Sequence, residues 1–161
     1  MRRLVVFLVL LGVGCGGRGV RPQGPVPQSM NESLTQFLAA VKANELSRMG
    51  ALWGTERGPA AGRMDAKRLR QRLAVIQKYL DHAGYRVVEG PVPSSARDDL
   101  RTYRVELQRD RGCTQVVQID VVATDSGGWL VYDVHLESAG NPAASCTPSG
   151  AGGAGRAGTQ P

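Results

Sequence analysis

Residues 100–136 read LRTYRVELQRDRGCTQVVQIDVVATDSGGWLVYDVHL, and this stretch decides the fold. Apolar and polar residues alternate along three segments of it, which is the period of a β-strand with one buried face. Two short turns rich in Asp and Gly, at 110–112 and 125–128, separate the segments. Strands joined by such turns are antiparallel neighbours. We therefore predict an antiparallel meander whose apolar face is covered by other elements.

The same alternation assigns side chains to the two faces of the sheet. In the closing strand, predicted over 129–136, the even-numbered residues point inward and the odd-numbered residues outward. The outer face then carries four apolar side chains, Val116, Val122, Trp129 and Val131. Such a patch predicts cover by a partner, a second copy of the chain or the returning C-terminal tail. We interpret the four residues as an interface anchored on Trp129.

Helical periodicity precedes the sheet. Residues 31–53 predict two short helices that meet at a polar break, with a capping box formed by Ser33 and Gln36. The stretch 54–62 is predicted to be a loop. Asp65 is the expected N-cap of a third helix that stops at Gly84.

This third helix has two contrasting faces. Its apolar stripe predicts packing against the sheet and consists of Leu69, Leu73, Ile76 and Leu80. The rest of the helix carries five cations, Lys67, Arg68, Arg70, Arg72 and Lys78, which indicates either a surface for a membrane or polyanion or an ordinary solvated face. A short first strand is expected at 85–89, followed by a loop at 91–99.

Helices followed by a sheet that closes on WLVYDVHL (129–136) resemble the nuclear-transport-factor-2-like (cystatin-like) superfamily. The segment FLAAVKANELSRMGALWG (37–54) is similar to the helix pair that opens such domains. The resemblance implies an α+β domain over 33–137, with N-terminal helices on a curved antiparallel sheet of about four strands and a cone-shaped pocket between the layers. Its members include enzymes, binding modules and structural dimers, so it implies no single function.

The N-terminus has the order of a secretory signal peptide. Arg2 and Arg3 precede an apolar run at 4–11, and small residues lead to Cys15. LGVGC at 11–15 resembles the lipobox of bacterial lipoproteins, which implies removal of residues 1–14 and acylation of Cys15. The absence of Asp after this cysteine implies the outer membrane, with the protein facing the periplasm. The apolar run is too short for a membrane-spanning helix.

Gly and Pro divide the rest of the chain. They concentrate at 12–27 and 140–161, which predicts a flexible tether at 15–30 and a disordered tail at 138–161 around a domain at 31–137. Cys113 and Cys146 are the two cysteines other than Cys15. Export favours a disulfide between them, but the spacing leaves two free thiols as an alternative.

Composition limits the classes of function. A chain of 161 residues is about one domain, which excludes an enzyme with separate cofactor and substrate domains. The net charge of +6 would suggest nucleic acid for a cytosolic protein. Because the chain is expected to be exported, we predict no nucleic-acid partner. We expect the basic surface to face envelope polyanions or solvent. The sequence contains no cysteine–histidine ligand cluster, P-loop or dinucleotide motif, so neither metal nor cofactor is predicted.

Asp133 and His135 are the strongest catalytic candidates. They are two residues apart on one strand face, where they could form a general-base pair. Their outward position favours plain solvent exposure instead. We therefore predict a small envelope-anchored binding or interaction module that is not an enzyme, with an envelope protein or a second copy as partner. The alternative is a small hydrolase or isomerase that uses polar residues inside the cone.

Overall fold

The computed structural model describes residues 25–95, 97–109 and 112–142. Within these ranges, three helices and a small hairpin precede a four-stranded antiparallel sheet whose strands are neighbours in chain order. The elements are α1 (Met30–Lys42), α2 (Leu46–Leu52), β1 (Gly54–Thr55), β2 (Gly58–Pro59), a 3-10 turn (Ala60–Gly62), α3 (Ala66–Leu80), β3 (Gly84–Pro93), β4 (Leu100–Gln108), β5 (Thr114–Ala123) and β6 (Trp129–Val134). The predicted α+β class, with helices packed on an antiparallel sheet, is confirmed.

The start of α1 differs from the prediction. Ser29 Oγ accepts the Glu32 N–H at 3.2 Å, and a Glu32 carboxylate oxygen accepts the Gln28 N–H at 3.1 Å. The capping residues are therefore Ser29 and Glu32, and the predicted box of Ser33 and Gln36 is wrong. Ser33 lies one turn inside the helix, where its side chain is fully buried. The Ser29 hydroxyl satisfies one free N–H group of the first turn, and Glu32 binds the backbone of the residue before the cap, which explains why the helix begins there.

The segment 54–62 is structured, whereas the prediction made it a loop. β1 and β2 pair as a short antiparallel hairpin, and a 3-10 turn follows at once. Trp53, just before the hairpin, forms a parallel bridge with Val131 of β6. The hairpin therefore lies along the β6 edge of the main sheet.

The boundaries of α3 and β3 also need correction. Asp65 caps α3 as predicted, since Oδ1 accepts the Arg68 N–H at 2.9 Å. The helix ends at Leu80, because Asp81 already has extended geometry, and Gly84 opens β3 instead of ending the helix. β3 continues to Pro93 through two register shifts, into the region that was predicted to be a loop.

One apolar core joins the helices to the inner face of the sheet. α1 packs on β5 and β6, and α3 packs mainly on α2 and α1. Phe37 of α1, Tyr103 of β4 and Ile119 of β5 are each at most 1% exposed, so side chains fill the space between the layers. The stripe of α3 is buried in the same cluster and consists of Leu69, Leu73, Ile76 and Leu80. It packs mainly against α2 and α1, whereas the prediction placed it against the sheet.

A bulge in β6 overturns the predicted faces of that strand. Val131 pairs with Val121, but Asp133 pairs with Asp120, so Tyr132 is an extra residue between two registers. Val131 is fully buried in the helix-facing core and Trp129 packs against the same core. The prediction placed both residues on the outer face, which is wrong, because regular alternation does not continue through a bulge.

The outer face has its own apolar cluster, formed by Leu100, Val122 and Leu130 with Val26 and Tyr132 packed against them. The Trp129 N–H donates to the Pro27 carbonyl at 2.8 Å, which fixes the N-terminal segment over the cluster. Gly128 is required at this contact, because a Cβ there would lie 2.9 Å from both the Pro27 carbonyl oxygen and Val26 Cγ1. The cover that we attributed to a partner, a second copy or the tail is thus supplied by residues placed in the predicted tether.

The ordered chain also continues past residue 137, the predicted end of the domain. Ala139 is 3% exposed within the core, and the Gln115 side chain donates to the Ser138 carbonyl at 2.6 Å. Cys113 is disulfide-bonded. Because Cys15 and Cys146 lie outside the described residues, its pairing with Cys146 stays a prediction. The predicted signal peptide at 1–14, most of the predicted tether and the residues from 143 onward also lie outside them.

Candidate functional site

A cleft of about 370 Å³ opens beside the β6 edge, where α3, the β1–β2 hairpin and β6 meet. Its lining combines aromatic, apolar and charged groups and consists of Trp53, Gly54, Thr55, Gly58, Ala60, Arg63, Met64, Arg72, Tyr132 and Asp133. This volume lies within the range of small-molecule sites, and so does the mixture of an apolar wall with a few polar groups.

Trp53 is the fixed wall of the cleft. Its backbone ends α2 and bridges to Val131, while its indole N–H donates to the Tyr132 carbonyl at 3.0 Å. Only 7% of the residue is exposed. Because both its backbone and its ring nitrogen are held, the indole cannot rotate away from the cleft without breaking these bonds.

Arg72 lies over this wall. Its guanidinium carbon is 4.9 Å from the centroid of the Trp53 ring, a cation–π arrangement. A stacked guanidinium keeps its N–H donors free at its edge, in the fork geometry that suits a carboxylate or phosphate. Arg72 is therefore positioned before any ligand arrives, which lowers the entropy lost on binding.

Arg63 adds a second guanidinium, held by a bond from Nη1 to the Arg57 carbonyl at 2.9 Å. Within the described ranges, neither Arg63 nor Arg72 forms a salt bridge. Asp133 is the acidic residue of the lining, and its carboxylate accepts the Val134 N–H at 2.9 Å. Two cations against one anion make the cleft suited to an anionic group beside a flat or apolar one.

A polar cluster on the outer face of the sheet contains the histidine that we singled out. His135 Nε2 is 2.9 Å from Asp120 Oδ2, and His135 Nδ1 is 3.0 Å from Glu137 Oε1. Thr102 Oγ1 donates to the second Asp120 oxygen at 2.7 Å. The partners of His135 are therefore Asp120 and Glu137, whereas the prediction paired His135 with Asp133. Both ring nitrogens lie within hydrogen-bond distance of carboxylates, and Nε2 is also 3.2 Å from the Gln118 side-chain amide.

The protonation of His135 follows from these neighbours. Burial lowers its pKa, but hydrogen bonds to Asp120 and Glu137 and the charge of Asp133 outweigh that effect, so the pKa lies above the ordinary value. The pKa of Glu137 is lowered by a backbone hydrogen bond and by His135. The hydrogen bonds of His135 engage both of its ring nitrogens and tie the chain after β6 to β5.

The four residues of the predicted interface do not form one surface. Val131 and Val122 are fully buried, the first in the helix-facing core and the second in the outer cluster. Trp129 is half-buried against the helix-facing core, and Val116 is half-buried on the outer side of β5. The prediction that these four residues form one exposed interface is therefore wrong.

Sequence reasoning missed the cleft because its parts come from distant segments. Trp53 was interpreted as an apolar residue of a helix face, and Arg72 as one of several cations on α3. The sequence signal that was available is the glycine pair Gly54 and Gly58 around a short turn. A Cβ at Gly54 would lie 2.4 Å from the Gly58 carbonyl oxygen, and Gly58 has a φ of +120°.

No helix in 25–142, as far as that range is described, is long and apolar enough to cross a membrane. Nor do the described side chains include a group of three or more His, Cys, Asp or Glu that could hold a metal ion.

Comparisons with known proteins give one structural likeness. No protein-family model matches the sequence, and no curated protein matches it significantly. The chain is similar to a crystal structure from Campylobacter jejuni, named as a candidate NTF2-like transpeptidase, with 13% sequence identity and a TM-score of 0.43. The match covers 65% of this chain and 99% of that one. A likeness at this level carries no argument about family or activity.

Proposed function

We propose that this protein is a small binding module whose ligand occupies the cleft between Trp53, Arg63 and Arg72. The observation that carries the proposal is the guanidinium of Arg72, stacked on a fixed indole and without a salt-bridge partner among the described residues. The ligand class is a small molecule with a carboxylate, sulfonate or phosphate next to a planar or apolar part. The anionic group pairs with the arginines, and the flat part lies against Trp53 and Met64.

Binding is favoured over catalysis by the position of the titratable groups. His135 faces two carboxylates on the outer side of the sheet, and Asp133 supplies the carboxylate of the cleft without a histidine in its lining. A general base needs a free lone pair near the reacting group. The alternative is a small hydrolase or isomerase, and the lining of this cleft contains no carboxylate–histidine pair that would support it.

We further propose that the protein is located in the cell envelope. The support for this location is the order of residues 2–15, which predicts export and acylation of Cys15. Attached lipid would hold the module at a membrane through the residues before Val26. Incorporation of a fatty-acid analogue that is lost in Cys15→Ala tests this part, and equal incorporation in both proteins would contradict it.

The cleft is tested with two probes that differ in charge. 8-Anilinonaphthalene-1-sulfonate is planar and anionic, and N-phenyl-1-naphthylamine is its neutral relative. We expect saturable binding of the anionic probe and a preference for it over the neutral one. Arg72→Gln should reduce that preference about tenfold, the value of one charge-assisted hydrogen bond.

Arg70→Gln is the matched control, because it removes the same charge from the same helix outside the cleft lining. An equal loss in both variants would show that general charge, and not the cleft, attracts the probe. Wild-type protein that binds both probes equally would also contradict the proposal.

A further inference from the structure

The exposed face of α3 is rich in cations, and it lies apart from the cleft except at Arg72. The helix reads AKRLRQRLAVIQKYL and contains five cations and no acidic residue. Its four buried residues, Leu69, Leu73, Ile76 and Leu80, form one stripe. At 100° per residue, Lys67, Gln71 and Lys78 fall opposite that stripe, with Arg68 and Arg70 on either side.

These cations lack acidic partners, whereas Arg86 and Arg104 of the sheet have them. Arg86 pairs with Glu106 at 3.1 Å and Arg104 pairs with Glu89 at 3.1 Å. Within the described ranges, no salt bridge involves a Lys or Arg of α3. The acidic residues that flank the helix are Asp65, whose carboxylate caps it, and Asp81, which is 3.5 Å from Gln77. The positive charge of this face is therefore not neutralised by its own surroundings.

An apolar side chain lies within this charged face. Val75 is 50% exposed, more than any other large apolar side chain in the described residues. Its neighbours one turn away along the helix are Gln71, Arg72, Lys78 and Tyr79. The buried stripe fixes the helix to the core, so Val75 cannot turn inward without unpacking Leu73 and Ile76.

We propose that this face of α3 binds an anionic phospholipid surface. Cations spread over a broad helix face suit headgroups that are mobile in a plane, and a central exposed valine suits the boundary with the acyl chains. Nucleic acid is the other common polyanion, but its interfaces are polar throughout and leave an exposed valine unused. The proposal does not depend on the ligand of the cleft, and it adds a direct contact to any lipid at Cys15.

The test uses the full chain with Cys15→Ala and sedimentation with vesicles. One set contains phosphatidylglycerol in phosphatidylcholine and the other contains phosphatidylcholine alone. The variant Lys67→Gln/Arg70→Gln/Lys78→Gln should bind the anionic vesicles about fivefold more weakly for each cation removed. Binding of the wild type should fall as salt is added.

The control variant Arg48→Gln/Arg86→Gln/Arg104→Gln removes the same charge from other surfaces and should bind nearly as wild type does. Equal losses in both triple variants would overturn the proposal. So would an α3 variant that keeps vesicle binding but loses binding to a 20-base-pair DNA duplex, which would assign the face to nucleic acid.

A second measurement locates the contact directly. Tryptophan emission of Val75→Trp should shift to the blue on anionic vesicles, since the indole enters the interface. Val88→Trp is the matched control, because Val88 is 39% exposed on β3, away from α3. An unchanged Val75→Trp spectrum on vesicles that bind the protein would contradict the proposed orientation.

Discussion

Ser29 and Ser33 are four residues apart and have opposite surroundings. Ser29 caps α1 through its hydroxyl, whereas the Ser33 hydroxyl is fully buried and has no hydrogen-bond partner among the described residues. Burying a hydroxyl without a partner costs free energy that an apolar group of similar size avoids. The same residue type therefore stabilises the fold at one position and opposes it at the other.

This contrast gives a prediction about stability. Ser29→Ala should lower the free energy of unfolding by about 1 kcal/mol, because the Glu32 N–H loses its acceptor. Ser33→Ala should change it by less than about 0.5 kcal/mol or raise it. Urea unfolding of both variants measures the difference, and a larger loss for Ser33→Ala would show that the buried hydroxyl has a partner.

At the scale of elements, the predictions held where a strand is regular and failed where it is not. β4 and β5 keep the period of two seen in the sequence, and their inner residues, Tyr103 and Ile119 among them, are buried in the helix-facing core. Alternation failed in the first half of β6, because the extra residue Tyr132 moves Trp129 and Val131 to the opposite face. A bulge has no periodic signature, so a pattern with one period cannot reveal it.

His135 makes the end of β6 sensitive to pH. Its pKa in the folded protein is raised, so its contribution to stability is complete below the pKa of an unfolded histidine and is lost as the pH rises through the higher folded value. His135→Gln should therefore be less stable than wild type at pH 6, by an amount that shrinks toward pH 9. Urea midpoints of both proteins across this range measure the gap.

The chain has only two histidines, and the other, His82, has a pKa lowered by burial. His82 is present in both wild type and His135→Gln, so its effect on stability cancels when the two proteins are compared. A gap between wild type and His135→Gln that is constant with pH would show that the pKa of His135 is the same in the folded and unfolded states, contrary to the carboxylate contacts at both of its nitrogens.

At the scale of the whole molecule, the cleft shows why a site is harder to predict than a fold. Trp53 follows α2, Arg72 belongs to α3 and Tyr132 is the bulge residue of β6. These segments meet because the β1–β2 hairpin lies against the β6 edge, a contact with no local pattern in the sequence. The cationic face of α3, in contrast, lies within one helix and was visible from spacing alone.

The chain carries two tryptophans, which allows one direct measurement of ligand binding in the cleft. Trp53 lines the cleft, and Trp129 packs against the helix-facing core. Their indole N–H resonances are recorded during titration with 8-anilinonaphthalene-1-sulfonate and assigned with Trp129→Phe. The Trp53 resonance should move saturably, with the same concentration dependence as the probe fluorescence, while the Trp129 resonance stays in place. A Trp53 resonance that does not move while the probe binds would contradict the proposed site.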